Sequence, residues 1–152
     1  MLSLLIKSFF KPSLSITKPK NSLQLRVLPN DIDINFHMNN GRYLTICDLT
    51  RVDLFIRTGL AKIMIKEKWM PVISEQAIKY KKALKMFQKY TVKMEIISRD
   101  KKSFKMLHTF HAEGRIVAEG SSNGVIISKS GVIPPEKVMD TLAARLNSHN
   151  VQ

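Results

Sequence analysis

The chain contains one unusually polar segment, Asp31-Ile32-Asp33-Ile34-Asn35-Phe36-His37-Met38-Asn39-Asn40-Gly41-Arg42-Tyr43, directly before a long apolar one. Two carboxylates, a histidine and three amides lie within it. The residues from 40 to about 58 carry apolar side chains around most of a helical circumference. A helix that is apolar nearly all round is normally buried. We therefore expect this helix at the centre of the domain, with the rest of the chain wrapped around it.

The polar segment has the groups needed for acid–base chemistry. Asp33 or His37 could act as a base, and Asn35 could orient either one. The first N–H groups of a helix lack partners within it and carry the positive end of its dipole. They could stabilise an oxyanion, and here they belong to Asn40, Gly41 and Arg42. An Asp-x-Asp loop is also a common cap or Asx-turn, and Asn39 is predicted to cap the helix.

Alternating apolar residues predict five strands, one before the helix and four after it. The segments are 23–28, 72–83, 90–96, 104–110 and 116–128, with hairpin turns at 99–102 and 113–114. A short helix starting at Pro134 and Pro135 follows, with Val138, Leu142 and Leu146 on its apolar side. We expect an α+β fold in which a curved antiparallel sheet of about five strands wraps around the central helix. Residues 21–152 are predicted to form this single domain.

Residues 1–20 are predicted to be a basic amphipathic segment and a linker. The apolar residues of its first half are spaced as on one helix face: Leu2, Leu5, Ile6, Phe9 and Phe10. Five Lys or Arg and no acidic residue precede Asp31. The apolar run is too short to span a bilayer. Three interpretations stay open: membrane contact through residues 1–16, a transit peptide, or a terminal helix docked on the domain.

The formal net charge of +13 indicates an anionic partner. Basic residues cluster in and after the second strand, at Lys79, Lys81, Lys82, Lys85 and Lys89; they could bind phosphates or simply form a solvated face. The sequence has no motif of interleaved aromatic and basic residues, so we do not expect nucleic-acid binding. The single Cys47 excludes an internal disulfide, so a reducing compartment such as the cytoplasm is the simplest assumption, with organelle targeting left open.

Other polar residues have structural interpretations. His108 and His111 lie three apart on a strand and point to opposite faces, so no metal pair is predicted. Asp48 and Arg51 are predicted to form an ion pair on the buried helix, and Cys47 to be a packed thiol. The last strand carries small residues on one face, which indicates close backbone approach, space for a ligand, or a weakened edge strand; these are Ala118, Gly120, Ser122 and Gly124.

The order of these elements resembles the hotdog fold. Residues 31–43 are similar to the signature of its acyl thioesterases of the 4-hydroxybenzoyl-CoA thioesterase-like group: an Asp, then Gly/His-Val/Met-Asn-Asn, then a Tyr on the helix. Asp33-Ile34-Asn35-Phe36-His37 also matches the Asp-x-Asn-x-His of plant acyl-ACP thioesterases. Residues 43–51 and 114–120 resemble the family's helix and its last hairpin. The resemblance covers residues 23 to about 130.

The resemblance implies an enzyme that hydrolyses acyl-CoA or acyl-ACP, as in fatty acid metabolism, without a metal or another cofactor. Asp33 matches the catalytic base or nucleophile, and Asn35 and His37 match further site residues. Tyr43 and the lysines Lys79, Lys81 and Lys82 are expected to bind substrate. A homodimer or homotetramer with sites between subunits is also implied.

The sequence departs from the family pattern at two places. Phe36 stands where many relatives have Gly, and its bulk is expected to reshape the pocket entrance. Residues 77–82 lack the acid that the plant enzymes use on the next strand, and Glu75 is the nearest substitute. Phe36 and the basic N-terminus motivate a second hypothesis, a non-catalytic hotdog protein that binds acyl chains or an anionic membrane.

Overall fold

The computed structural model describes Ser8, Leu14 and residues 19–149, the last four of them through the backbone alone. Six strands, three α-helices and one 3-10 turn follow one another within these residues. They are β1 (Lys20–Arg26), the 3-10 turn (Pro29–Asp31), α1 (Asn40–Thr58), α2 (Leu60–Glu67), β2 (Met70–Tyr80), β3 (Lys89–Arg99), β4 (Phe104–Ala112), β5 (Arg115–Ser128), β6 (Gly131–Ile133) and α3 (Pro135–His149).

The strands form one antiparallel sheet in the order β1-β3-β4-β5-β2, with the short β6 paired to the end of β5. The sheet curls around α1, which packs on β1 and β3. Tyr43, Ile46 and Cys47 of α1 are buried against Val92 of β3 and Phe110 of β4. The predicted α+β class is therefore confirmed, and the arrangement is the hotdog fold.

Local signals fix both ends of α1. The Asn39 side chain accepts a hydrogen bond from the Gly41 N–H at 2.8 Å, which makes Asn39 the predicted cap. The helix ends at Gly59, whose φ of 80° lies in the left-handed region that glycine adopts without strain. We expected α1 to be buried on all sides, and this is wrong for one stripe of its surface. Leu44 and Val52 are 38% and 37% exposed, because the sheet covers only one side of the helix.

The short helix α2 was not predicted from the sequence. It packs Leu60, Ile63 and Met64 into a second cluster with residues of β5 and α3. In α3 the predicted side chains Val138 and Leu142 are buried in the same cluster, whereas the side chain of residue 146 lies outside the described residues.

Strand bounds differ from the predicted ones by a few residues. β2 starts at Met70 and ends at Tyr80, whereas alternation predicted 72–83. The backbone N–H groups of Lys81 and Lys82 both donate to the Val117 carbonyl, at 2.9 and 3.0 Å. The chain therefore turns out of the ladder directly after Tyr80.

The N-terminal segment is described at two positions, and both contact α1. The Ser8 hydroxyl donates to Asp53 Oδ1 at 2.6 Å, and the Leu14 N–H donates to the Arg57 carbonyl at 3.2 Å. Ser8 is buried. At these points the segment lies on the domain, as the docking interpretation expects; the other expectations for residues 1–18 lie outside the described residues. Among those that are described, no helix is long and apolar enough to cross a membrane.

Candidate active site

Residues 32–38 form a loop whose base is fixed on both sides. The Asp33 N–H donates to the His37 carbonyl at 2.9 Å, and Ile32 pairs with Met38 in an isolated bridge. A second bridge joins His37 to Lys85, after β2. The tip of the loop therefore projects from the surface while its two ends are held in place.

A buried carboxylate, Asp31, anchors this loop to the start of α1. Its Oδ1 accepts from Arg42 Nε at 2.7 Å, and its Oδ2 accepts from the Leu28 N–H at 2.8 Å. Its carbonyl accepts from the Asn39 N–H at 2.8 Å. Sequence reasoning assigned no role to Asp31. Its two partners, Arg42 eleven residues later and Leu28 three residues earlier, belong to different elements, so no local pattern indicates the contacts. Asp31 therefore fixes the position of the loop relative to α1.

The loop, the first turn of α1 and the end of β2 enclose a cleft of about 310 Å³. The three predicted catalytic residues Asp33, Asn35 and His37 all line it. So do the other members of its wall, which are Met38, Asn40, Tyr43, Tyr80, Lys81, Lys82 and Ala83. Of the residues expected to bind substrate, Lys79 is absent from this lining. Glu75 is also absent, because its carboxylate accepts from Asn123 Nδ2 at 2.8 Å on the neighbouring strand.

Two of the three predicted oxyanion donors are already hydrogen-bonded. The Gly41 N–H donates to the Asn39 side chain, and the Arg42 N–H donates to the Asn39 carbonyl at 2.9 Å. Neither residue lines the cleft. Among the described hydrogen bonds none uses the Asn40 N–H, and Asn40 does line the cleft. The expected set of three donors is thus reduced to Asn40.

Asp33 closes an Asx-turn at the cleft. Its Oδ1 accepts from the Asn35 N–H at 2.8 Å, while its Oδ2 has no hydrogen bond to the described chain. The residue is half-buried, and His37 beside it is exposed. One carboxylate oxygen is therefore fixed by the turn, and the other is available to a water molecule or a substrate.

Aromatic rings form the inner wall of the cleft. Tyr43 is buried and makes edge-to-face contacts with Tyr80 and Phe110, each at a centroid distance of 5.1 Å. Burial raises the pKa of Tyr43, which keeps its hydroxyl neutral. The Tyr80 hydroxyl donates to the Asn40 carbonyl at 3.1 Å, so it holds the end of β2 against the start of α1. Sequence reasoning missed Tyr80, whose one signal was its place at the end of an alternating strand.

The two lysines at the cleft have acidic neighbours. Lys81 Nζ lies 2.8 Å from Glu119 Oε1, and Lys82 Nζ lies 3.5 Å from Glu113 Oε2. The Lys82–Glu113 pair is exposed and the Lys81–Glu119 pair is partly exposed, and ion pairs in contact with water are weak. The two ammonium groups are therefore free to turn towards an anion at the mouth of the cleft.

Residues 27–145 match the sequence model of the thioesterase-like superfamily. The chain belongs to this family. A relative called Protein THEM6 from Xenopus laevis is 29% identical over 92% of the chain and 67% of its own length. Protein THEM6 from Danio rerio is 30% identical over 79% of the chain and 58% of its own length. The chain thus spans about three fifths to two thirds of these relatives.

Solved structures confirm the hotdog fold of this thioesterase-like domain. The probable thioesterase YbaW from Escherichia coli superposes with a TM-score of 0.74 at 21% identity, over 80% of the chain and 95% of YbaW. The gentisyl-coenzyme A thioesterase BH1999 superposes with a TM-score of 0.70 at 23% identity, over 78% of the chain and 98% of BH1999. The protein SAV2348 from Staphylococcus aureus, solved in complex with CoA, superposes with a TM-score of 0.69 at 19% identity, over 88% of the chain and 87% of SAV2348.

Farther along α1 the thioesterase-like domain contains a buried polar cluster around Arg51. The guanidinium donates to Asp48, to Ser122 Oγ at 3.1 Å and to Gln76 Oε1 at 3.3 Å, and it lies 3.4 Å from His108 Nε2. The predicted Asp48–Arg51 pair is thereby confirmed. Burial raises the pKa of the neighbouring Cys47 thiol to about 12, which agrees with a packed and unreactive cysteine.

An apolar cavity of about 270 Å³ lies between α1, the sheet and α3. Asp48 and Arg51 reach its wall, and the remainder is mostly aliphatic, aromatic or thioether, including Val52, Phe55, Ile73, Met106, Val138 and Leu142. It shares no lining residue with the cleft.

Of the three interpretations given to the small residues of β5, a weakened edge strand is wrong, because β5 lies between β4 and β2. A Cβ at Gly120 would lie 2.8 Å from Ile78 Cδ1, so this glycine makes room for the Ile78 side chain of β2. Gly124 borders the cavity, and a Cβ there would lie 2.8 Å from Met106 Cε. The small residues therefore make room for side chains of the neighbouring strands, and Gly124 also lies at the wall of the cavity.

His108 is expected to make stability depend on pH. Burial, followed by the positive charge of Arg51, lowers its pKa from 6.5 to about 4 in the folded protein. The unfolded chain therefore binds a proton at His108 more readily than the folded protein does. The stability that depends on a neutral His108 is complete above pH 6.5 and is lost as the pH falls towards 4. The loss by pH 4 is about 3 kcal/mol.

Denaturant unfolding at several pH values between 7 and 4 measures this loss. The His108→Gln variant should have a flatter acid limb than the wild type, because glutamine does not titrate. His111→Gln is the comparison. The pKa of His111 is also lowered, by burial and by Lys93, but the residue lies on the opposite face beside Thr109 and is only half-buried, so its replacement should flatten the acid limb less. Equal slopes for the wild type and His108→Gln would rule out this role of His108.

Proposed function

We propose that the chain hydrolyses an acyl thioester, acyl-CoA or acyl-ACP, to a carboxylic acid and a thiol. The observation that carries this proposal is the assembly of Asp33, Asn35 and His37 with the first turn of α1 around one cleft. Membership of the thioesterase-like superfamily supports the same reaction class. The groups needed for it are an activated oxygen nucleophile and a donor for the developing oxyanion.

In the proposed mechanism the unpaired oxygen of Asp33 accepts a proton from a water molecule as the water oxygen attacks the thioester carbonyl carbon. The carbon–sulfur bond then breaks, and the thiolate leaves and takes up the proton. Attack by the carboxylate itself is the alternative, with a mixed anhydride that water hydrolyses in a second step. His37 would hold the water, and Asn35 would orient either group.

The Asn40 N–H is the proposed oxyanion donor. It sits at the positive end of the α1 dipole and lines the same cleft as Asp33. This N–H shares its peptide plane with the Asn39 carbonyl, which accepts from the Arg42 N–H at 2.9 Å, and the next carbonyl, that of Asn40, accepts from the Tyr80 hydroxyl. Both hydrogen bonds limit movement of the backbone at Asn40. A fixed donor needs little reorganisation during the reaction, and one such donor is typically worth about a hundredfold to a thousandfold in rate.

The positive charge around the cleft fits a phosphorylated carrier. Lys81 and Lys82 line it, and residues 76–94 contain six lysines and no acidic residue. Phosphates of CoA or acidic groups of acyl carrier protein would meet these side chains at the mouth. A structural neighbour, SAV2348, was solved in complex with CoA; here CoA is a proposed part of the substrate.

The edge of the sheet supports a proposed homodimer. Within residues 19–149, β2 pairs with β5 on one side and with no strand on the other. An open edge of eleven residues is a template for another strand. A second copy that adds its own β2 would continue the sheet and would also cover the exposed Leu44 and Val52 of α1, and two such dimers could form a tetramer.

The apolar cavity favours a second candidate function, acyl-chain binding without hydrolysis. Its walls are almost wholly apolar and its volume suits a bent aliphatic chain. A panel of acyl-CoA thioesters of increasing chain length, followed with a thiol-detecting reagent, distinguishes the two functions. Thiol release that saturates with at least one substrate is the expected result. Binding of the panel without any release would leave only the binding function.

A further inference from the structure

The rim of the cleft carries an exposed apolar surface that the proposed reaction does not use. Its members come from three loops: Leu28 after β1, Ile34 and Phe36 at the tip of the site loop, and Met86 and Phe87 between β2 and β3. They are 49%, 92%, 79%, 44% and 53% exposed, in that order. We call these five residues the apolar rim.

Hydrogen bonds bring the three loops together. His37 pairs with Lys85, and the Met38 N–H donates to the Leu84 carbonyl at 2.8 Å. The Phe87 N–H donates to the Val27 carbonyl at 2.9 Å. The rim is therefore one continuous end of the domain, next to the mouth of the cleft.

Two of the rim residues hold unfavourable backbone conformations. Phe36 and Phe87 have φ values of 60° and 63°, in the left-handed region where a large side chain is uncommon. Glycine or asparagine would fit there at a lower free-energy cost. Since both rings are largely exposed, packing within the chain does not compensate for this cost, and contact with something outside the chain would.

Cations surround the rim. Arg26, Lys85 and Lys89 are exposed beside it, and the Arg26 guanidinium donates to the Phe87 carbonyl at 3.0 Å. Lys81 and Lys82 lie across the cleft mouth. The acids near the rim are few. Asp31 accepts from the Leu28 N–H but is buried and paired with Arg42. Glu113 bonds to Gln88 and Lys82, and Asp33 lies in the cleft.

We propose that the apolar rim docks this domain on an anionic lipid surface, with the mouth of the cleft facing the membrane. Single apolar side chains projecting from loops, surrounded by lysine and arginine, suit the boundary between headgroups and acyl chains. A symmetric contact with a second copy would bring like charges together. An acidic protein would satisfy the cations, but it would leave scattered apolar tips without a groove to fill. The proposal goes beyond the thioesterase proposal and does not depend on it.

Sedimentation of the full chain with vesicles tests this inference. Phosphatidylcholine vesicles containing phosphatidylserine should bind the protein more tightly than vesicles of phosphatidylcholine alone, and added salt should weaken the binding. The double variant Phe36→Asn, Phe87→Asn should bind at least about tenfold more weakly. Its fold should persist, because asparagine tolerates the left-handed conformation and both side chains are exposed. Circular dichroism and thermal unfolding check this point.

Three further variants separate the contributions. Ile65→Asn is the matched control, because Ile65 is 80% exposed on α2, which follows the far end of α1; its binding should equal that of the wild type. Lys85→Gln and Lys89→Gln should each weaken binding to phosphatidylserine vesicles about fivefold.

Three outcomes would overturn the proposal. One is wild-type protein that stays in solution with either vesicle, including the case in which it binds an acidic carrier protein instead. Another is a double variant that binds vesicles as tightly as the wild type. The third is a double variant that changes from oligomer to monomer in sedimentation velocity, since the rim would then be a contact between subunits.

Discussion

Replacing Asp33 by Asn is expected to lower thioester hydrolysis about a thousandfold, within the range that a general base contributes. The substitution removes the negative charge and keeps the oxygen that accepts the Asn35 N–H. The Asx-turn therefore remains, and the loop should keep its shape. Turnover of the most reactive acyl-CoA of the panel, at saturating concentration, measures the change.

A second aspartate provides a matched control for this variant. Asp100 Oδ1 also accepts backbone N–H groups, from Lys102 and Ser103 at 2.7 Å each, in a turn between β3 and β4. Asp100→Asn should retain full activity. Asp33→Ala removes both the charge and the turn acceptor, and it should be no more active than Asp33→Asn. Wild-type turnover in Asp33→Asn would exclude Asp33 as base or nucleophile.

Replacing Arg51 by Met is expected to lower the free energy of unfolding by about 3 kcal/mol. Methionine fills much of the same space but donates no hydrogen bond. The hydroxyl of Ser122, the amide oxygen of Gln76 and a ring nitrogen of His108 would then lie in the interior without this donor. The carboxylate of Asp48 adds little to the loss, because its side chain is 64% exposed and water can solvate it.

Urea unfolding of Arg51→Met and of Arg115→Met provides the comparison. Arg115 is exposed at the start of β5, so its replacement should change stability by no more than about 0.5 kcal/mol. The activity of folded Arg51→Met should stay close to that of the wild type, because Arg51 does not line the cleft. Equal stability of the two variants would show that the Arg51 cluster contributes little.

The predictions of the helix ends and the strands, and the grouping of three candidate residues, rest on local signals. The cap at Asn39 and the change of pattern near residue 58 gave both ends of α1. Asp33, Asn35 and His37 lie within five residues of one another, so a single loop was enough to bring them to one cleft. Alternation located all five long strands, although it did not give their exact ends.

What was missed depends on contacts between distant parts of the chain. Tyr80 reaches the cleft because β2 ends beside the first turn of α1, and no pattern around residue 80 indicates this. Arg51 gained partners on β2, β4 and β5, whereas the sequence suggested only Asp48. The predicted set of oxyanion donors was too large because two predictions conflicted. Asn39 was predicted to cap the helix and the Gly41 N–H was predicted to be a free donor, but the cap uses that same N–H.

The pairing of the strands has a consequence for the order of folding. β3, β4 and β5 are joined by short turns and can form their ladders early, because closing short loops costs little entropy. β1 and β2 pair with strands far along the chain, as Lys20 with Glu95 and Ile78 with Gly120. The site loop lies between these two late strands. We therefore expect the ladders of β3, β4 and β5 to form first and the cleft lined by Asp33 to be completed only in the last stage of folding.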